Sequence, residues 1–91
     1  MPTKFSLGRT VATAGALRML TEARQNPVVL LDRHCQGDWG DLCEEDQQKN
    51  EQAIRDGSRI FSAYSLRTGV VLWVITEADR SATTILLPEE Y

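Results

Sequence analysis

Hydrophobic and polar positions divide this chain into two halves with different periods. The stretch Val70-Val71-Leu72-Trp73-Val74-Ile75-Thr76 is seven residues of apolar or β-branched character without a Gly, Pro or charge. It is too short for a buried helix and predicts a strand covered on both faces. Before it, Ile60, Ser62, Tyr64 and Leu66 alternate with Phe61, Ala63 and Ser65, a period of two. Arg67-Thr68-Gly69 fits a three-residue hairpin loop with Gly69 in the left-handed position. After it, residues 77–82 form a second turn, and Thr83-Thr84-Ile85-Leu86-Leu87 forms a strand stopped by Pro88. Pairing Leu66 with Val70 sets Tyr64 against Leu72 and Ser62 against Val74, on one face with Ile85 and Leu87. The other face then holds Phe61, Trp73, Ile75 and Leu86. Helices on one side alone would leave this second face as an apolar patch, so either the N-terminal arm or a second copy of the chain must cover it. The expectation is a homodimer through Phe61, Trp73, Ile75 and Leu86.

The first half changes to helical spacing. Phe5-Ser6-Leu7 alternates until Gly8 interrupts it, which predicts a short edge strand or extended arm within residues 1–12. Thr13 is an N-cap, and Ala16, Leu17 and Leu20 place one apolar stripe on a helix over 14–24. Asn26 as cap and Pro27 at the first helical position begin a second helix. That helix carries Val28, Leu30, Leu31 and Cys35, and Gly37 ends it. In the loop that follows, Trp39 is large enough to pin the backbone by burial. Asp41 and Glu44 have capping-box spacing and would open a third helix that closes at Asp56 before Gly57. Its stripe is thin (Leu42, Cys43, Asn50, Ala53, Ile54) and leaves a wide acidic face in water. The predicted fold is therefore a single α+β domain over residues 1–91. Three N-terminal helices (13–57) pack on a C-terminal three-stranded antiparallel β-meander (58–91), with the strands side by side in sequence order.

Composition narrows the function classes. Ninety-one residues bury roughly 60–70% of the unfolded chain's surface, enough for one core. Apolar content of 42% and charged content of 25% are ordinary globular values. No run approaches the ~18 apolar residues of a membrane span. No apolar segment follows Met1, so the expected location is the cytoplasm, with Cys35 and Cys43 as free thiols. The net charge of −3 is unevenly spread: residues 38–56 hold seven acids against Lys49 and Arg55, or −5, and the remainder sums to +2. Such a segment repels phosphates and makes nucleic acid an unfavourable partner; a basic protein surface suits it better.

Several residues could carry chemistry. His34, Cys35, Asp38, Asp41 and Cys43 are potential ligands within ten residues, but their spacing matches no zinc pattern, so neither metal nor cofactor is expected. His34 as a general base oriented by Asp38 or Asp41 would make a minimal hydrolase or nuclease, with Cys35, Cys43 or Ser58 as nucleophile. No oxyanion hole accompanies them. Asp79 and Arg80 at the second strand turn could hold a phosphate or carboxylate, and the same residues form an ordinary Asx-turn with a solvated Arg. Arg9, Arg18, Arg24 and Arg33 are scattered over helix surfaces.

Three segments, Gly37-Asp38-Trp39-Gly40-Asp41-Leu42, Trp73-Val74-Ile75-Thr76-Glu77-Ala78-Asp79-Arg80 and Thr83-Thr84-Ile85-Leu86-Leu87-Pro88-Glu89-Glu90-Tyr91, together with Val11-Ala12-Thr13, resemble a family of small bacterial proteins carried on plasmids and other mobile elements. Ala14 departs from that pattern, which places a proline there. Some members bear the label of a type I restriction methylation subunit. A methyltransferase needs a glycine-rich cofactor loop and an Asn-Pro-Pro-aromatic motif, and this sequence contains neither. The resemblance supplies no catalytic residues. Together these readings lead us to expect a small accessory protein that docks on a basic partner through Trp39, Asp41, Glu44, Glu45 and Asp46, with no enzymatic activity. The hydrolase or nuclease centred on His34, Asp38 and Asp41 is the alternative.

Overall fold

A computed structural model of the chain describes residues 3–91. The elements run β1 (Arg9–Ala12), α1 (Ala14–Ala23), α2 (Pro27–Cys35), α3 (Glu44–Asp56), β2 (Ile60–Ser65), β3 (Val71–Thr76) and β4 (Ala82–Leu86), closed by a single 3-10 turn at Pro88–Glu90. The predicted hairpin register holds residue for residue. Leu66 N–H donates to Val70 O, Gly69 has φ +90°, Tyr64 pairs with Leu72, and Ser62 pairs with Val74. Strand β4 continues the antiparallel order, with Val74 opposite Ile85 and Trp73 opposite Leu86.

The sheet, however, has four strands in the order β1-β4-β3-β2 and is mixed, which corrects the expectation of a three-stranded, purely antiparallel meander; the edge strand allowed within residues 1–12 is β1. Residues Arg9–Ala12 pair in parallel with Ala82–Ile85, so a strand precedes the helices and occupies one margin of the sheet. The Phe5-Ser6-Leu7 alternation belongs to an arm, and the strand begins beyond Gly8. The physical reason is that β4 offers a complete unpaired backbone edge once β3 has taken its other side. The nearest extended segment, lying just before α1, fills it.

Helix ends follow the side chains in two cases out of three. Thr13 Oγ1 accepts from Ala16 N at the start of α1, and Asn26 Oδ1 accepts from Val28 N at the start of α2. The third expectation fails. Helix α3 begins at Glu44 behind Cys43, which caps nothing with its side chain. Asp41 instead accepts from Ser65 Oγ at 2.6 Å, because its backbone N–H is already held by Ala63 O at 2.7 Å. The acids Glu44, Glu45 and Asp46 in the first turn compensate by their charge against the helix dipole.

One core lies between the helices and the inner sheet face, where Leu20 and Leu30 meet Tyr64, Leu72, Val74 and Ile85. A smaller core holds Trp39, Ala53 and Ile60, with Phe5, Leu42 and Ile54 around them. The second face is covered in part by the chain's own tail. Tyr91 stands edge-on to Trp73 at 5.8 Å, Phe61 meets Trp73 at 4.9 Å, and Arg59 lies over the Tyr91 ring. Ile75 and Leu86 are buried within one chain, so the face offered to a second copy reduces to the half-exposed Phe61 and Trp73 and the exposed Val71 and Tyr91.

Candidate functional site

His34 sits in the last turn of α2, one helical turn beyond Leu30, and both side chains point into the sheet. It is completely buried, as are the three hydroxyl residues around it, Ser62, Thr76 and Thr83. Nδ1 lies 2.6 Å from Ser62 Oγ and Nε2 lies 2.9 Å from Thr76 Oγ1. Thr76 Oγ1 is 2.7 Å from Thr83 Oγ1, and Thr83 Oγ1 donates to Leu7 O at 2.7 Å. The final carbonyl can only accept, and that fixes every proton upstream. Thr83 gives its proton to Leu7, Thr76 gives its own to Thr83, and Nε2–H therefore donates to Thr76. Nδ1 accepts from Ser62. The imidazole is thus held neutral as the Nε2–H tautomer, and its burial lowers its pKa to about 4. Phe5 and Trp39 seal the pocket edge-on to the ring at 5.2 and 6.0 Å.

This geometry places a Ser beside a His at hydrogen-bonding distance, yet no substrate atom can reach either residue. The second ring nitrogen is spent on a threonine rather than on an orienting carboxylate, so the base–orienter arrangement is not assembled. Asp38 faces away from His34. Its carboxylate takes a two-pronged bond from Arg33 (2.7 and 3.3 Å) and accepts Gly40 N–H, and the Arg33 guanidinium holds the Asp38 carboxyl below the usual range. The Arg33 guanidinium also lies over the Tyr64 ring, whose hydroxyl donates to Asp38 O. Burial pushes the Tyr64 phenol up to about 12. These bonds build the loop; they leave no carboxylate free to meet the imidazole.

The other predicted residues separate in the same way. Trp39 is buried, its Nε1–H donating to Glu51 Oε2 at 2.9 Å, so the loop anchors this ring inside the protein. Asp79 Oδ1 accepts Ser81 N–H in an Asx-turn. Arg80 has φ +61° and turns inward, donating to Ala53 O, Ser58 O, Glu77 O and Ala78 O. It thereby caps the C-terminal end of α3 with a positive charge. Glu77 and Asp79 are left to line the adjacent hollow, whose charge repels a phosphate. Cys43 is exposed and Cys35 buried, both as free thiols. Among the described residues, no three His, Cys, Asp or Glu side chains gather closely enough to hold a metal ion. Glu44, Glu45 and Asp46 do reach solvent on α3, where Lys49 pairs loosely with Glu45 and Asp46 at 3.8 and 4.0 Å.

Two arrangements went unread in the sequence, although both left a mark there. The inward-facing positions of the strands hold hydroxyls at Ser62, Thr76 and Thr83, and three polar residues on a core face require a shared buried partner. Asn50 interrupts the apolar stripe of α3, and it too proves to be buried. Comparison of the chain with protein-family models, with curated proteins and with solved structures finds no match in any of the three.

Proposed function

We propose that this chain is a protein-binding module which works by docking, with the acidic outer face of α3 as its contact for a basic surface. The reading rests on how the polar groups are used. His34, Asp38, Asp41 and Arg80 are each committed to neighbours that build the fold, whereas Glu44 and Glu45 stand in solvent with Asp46 half-exposed beside them. A local charge of −5 over residues 38–56 steers a basic partner and makes association sensitive to salt. The resemblance to proteins of mobile elements directs the search for that partner to cells carrying such elements. The test is affinity capture with the E44K/E45K/D46K variant, whose fold is checked by circular dichroism. Loss of a partner captured by the wild-type chain supports the reading; capture undiminished by charge reversal overturns it. No observation favours hydrolase or nuclease chemistry at His34, which solvent does not touch.

A further inference from the structure

The two margins of the sheet are treated differently. On the β2 side, Asn50 bonds both backbone groups of Phe61, and Ala63 is bonded by Trp39 O and Asp41 N–H, so this margin is sealed. On the β1 side, Arg9 N–H and Thr13 N–H point to β4. By the alternation of a parallel ladder, Thr10 and Ala12 then present their N–H and C=O groups outward. Among the described residues no strand meets them.

Next to this open margin lies a cleft of about 280 Å³ lined by Thr10, Ala12, Leu17, Val28, Leu31 and Ile85. Its walls come from α1, α2 and β1, with Ile85 of β4 at its inner end, so it opens between the helices and the sheet at this margin. A strand added to the free edge of β1 would lie beside the mouth of this cleft and could turn alternate side chains towards it. Val11, Leu17 and Val28 are 42%, 45% and 53% exposed there, unusual for large apolar residues beside a core.

We infer that the outer edge of β1 and the cleft beside it bind an extended segment of a partner protein as a fifth strand, with apolar side chains inserted at alternate positions. The three exposed side chains offer on the order of 200 Å² of apolar surface, against the ~800 Å² per partner that a stable dimer buries. That area suits one short strand better than a second copy of the chain. Charge adds a preference. Arg9 heads β1, Arg18 follows Leu17 on α1, and neither has an ion-pair partner among the described residues. Acidic residues flanking the incoming strand match them. This surface lies at the opposite edge of the sheet from α3, and the inference stands independently of the acidic contact proposed above.

The experiment selects peptides from a displayed random 12-residue library against the full-length chain. A synthetic copy of the best binder is then titrated against wild type, Thr10→Pro and Val28→Glu. Thr10→Pro removes one outward N–H while leaving the β4 pairing groups in place, and Val28→Glu puts a charge on an exposed wall where folding is not at stake. The inference expects alternating apolar residues with acidic flanks in the selected peptides, slowed hydrogen exchange at Thr10 and Ala12 on binding, and affinity weakened roughly tenfold or more by either variant. Peptides that bind both variants as well as wild type overturn it, as does a library yielding no binder. A homodimer in solution that Thr10→Pro dissolves also overturns it, since the edge would then belong to a second copy.

Discussion

Asn50 holds Phe61 by both of its backbone groups. The amide Nδ2–H donates to Phe61 O at 2.6 Å, and Phe61 N–H donates to Asn50 Oδ1 at 3.1 Å. A helix side chain thus completes the outer edge of β2 as a neighbouring strand would. Because Asn50 is buried, replacing it strands one donor and one acceptor. Asn50→Leu is expected to lower stability by about 2–4 kcal/mol, at roughly 1–3 kcal/mol for each buried group left without a partner. Urea denaturation gives the cost, and hydrogen exchange localises it: the Phe61 amide should exchange far faster in the variant, while the Tyr64 amide, within the β2–β3 ladder, keeps its protection.

Acid weakens the fold through His34. Its pKa is about 4 in the folded chain against an ordinary 6.5, so the unfolded chain binds the proton more readily between those values. The contribution to stability is complete above pH 6.5, falls as the pH drops from 6.5 towards 4, and has vanished below. The full swing is about 3 kcal/mol. Phe5, Trp39, Ser62 and Thr76 surround the ring and none carries a charge that could rescue an imidazolium. Stability measured at pH 7 and pH 4.5 should differ markedly in wild type. His34→Leu, though less stable at neutral pH, should lose most of that difference, leaving only the slope of carboxylates such as Asp38 that titrate at lower pH.

Gly40 and Gly57 both have positive φ, at +73° and +80°, and should nevertheless respond differently to Ala. A Cβ at Gly40 would come to 2.0 Å from Ala63 O, whereas one at Gly57 meets nothing within 4 Å. Gly57→Ala should cost only the left-handed backbone penalty, ~1–2 kcal/mol. Gly40→Ala must also push the loop off β2, and a loss above ~3 kcal/mol is expected from overpacking added to that penalty. Thermal melts of the two variants side by side decide the matter; equal shifts would contradict the close approach.

The two thiols should label in sequence. Cys43 is exposed, whereas Cys35 is buried, hydrogen-bonded to Asp32 O, and raised in pKa by that burial. A chromogenic disulfide reagent should modify one equivalent promptly in the native protein. The second should appear only on adding denaturant, and mass spectrometry should assign the first to Cys43.

The three antiparallel strands could be read because their signals are local: alternation in Ile60–Ser65, a glycine at the right turn position, and Pro88 as a stop. The helix starts at Thr13 and Asn26 were equally legible, each resting on one side chain and the next turn. The parallel pairing of Arg9–Ala12 with β4 joins segments some seventy residues apart, and four residues with no periodicity of their own carry no trace of it. Asp41 shows the same limit. Its spacing from Glu44 fits a cap, but Ala63 and Ser65, distant in sequence, claim it first. The cluster weighed for catalysis shows a related limit. His34, Asp38 and Asp41 are neighbours along the chain, and the fold turns them towards three different partners.

Pairing the first strand with the last also dictates an order of assembly. During synthesis Arg9–Ala12 emerge early and must wait, unpartnered, until Ala82–Leu86 have left the ribosome. The helices can coil in the meantime, but this margin of the sheet stays unfinished until β4 is made. A stop codon anywhere ahead of Leu86 would therefore damage the beginning of the protein as surely as its end.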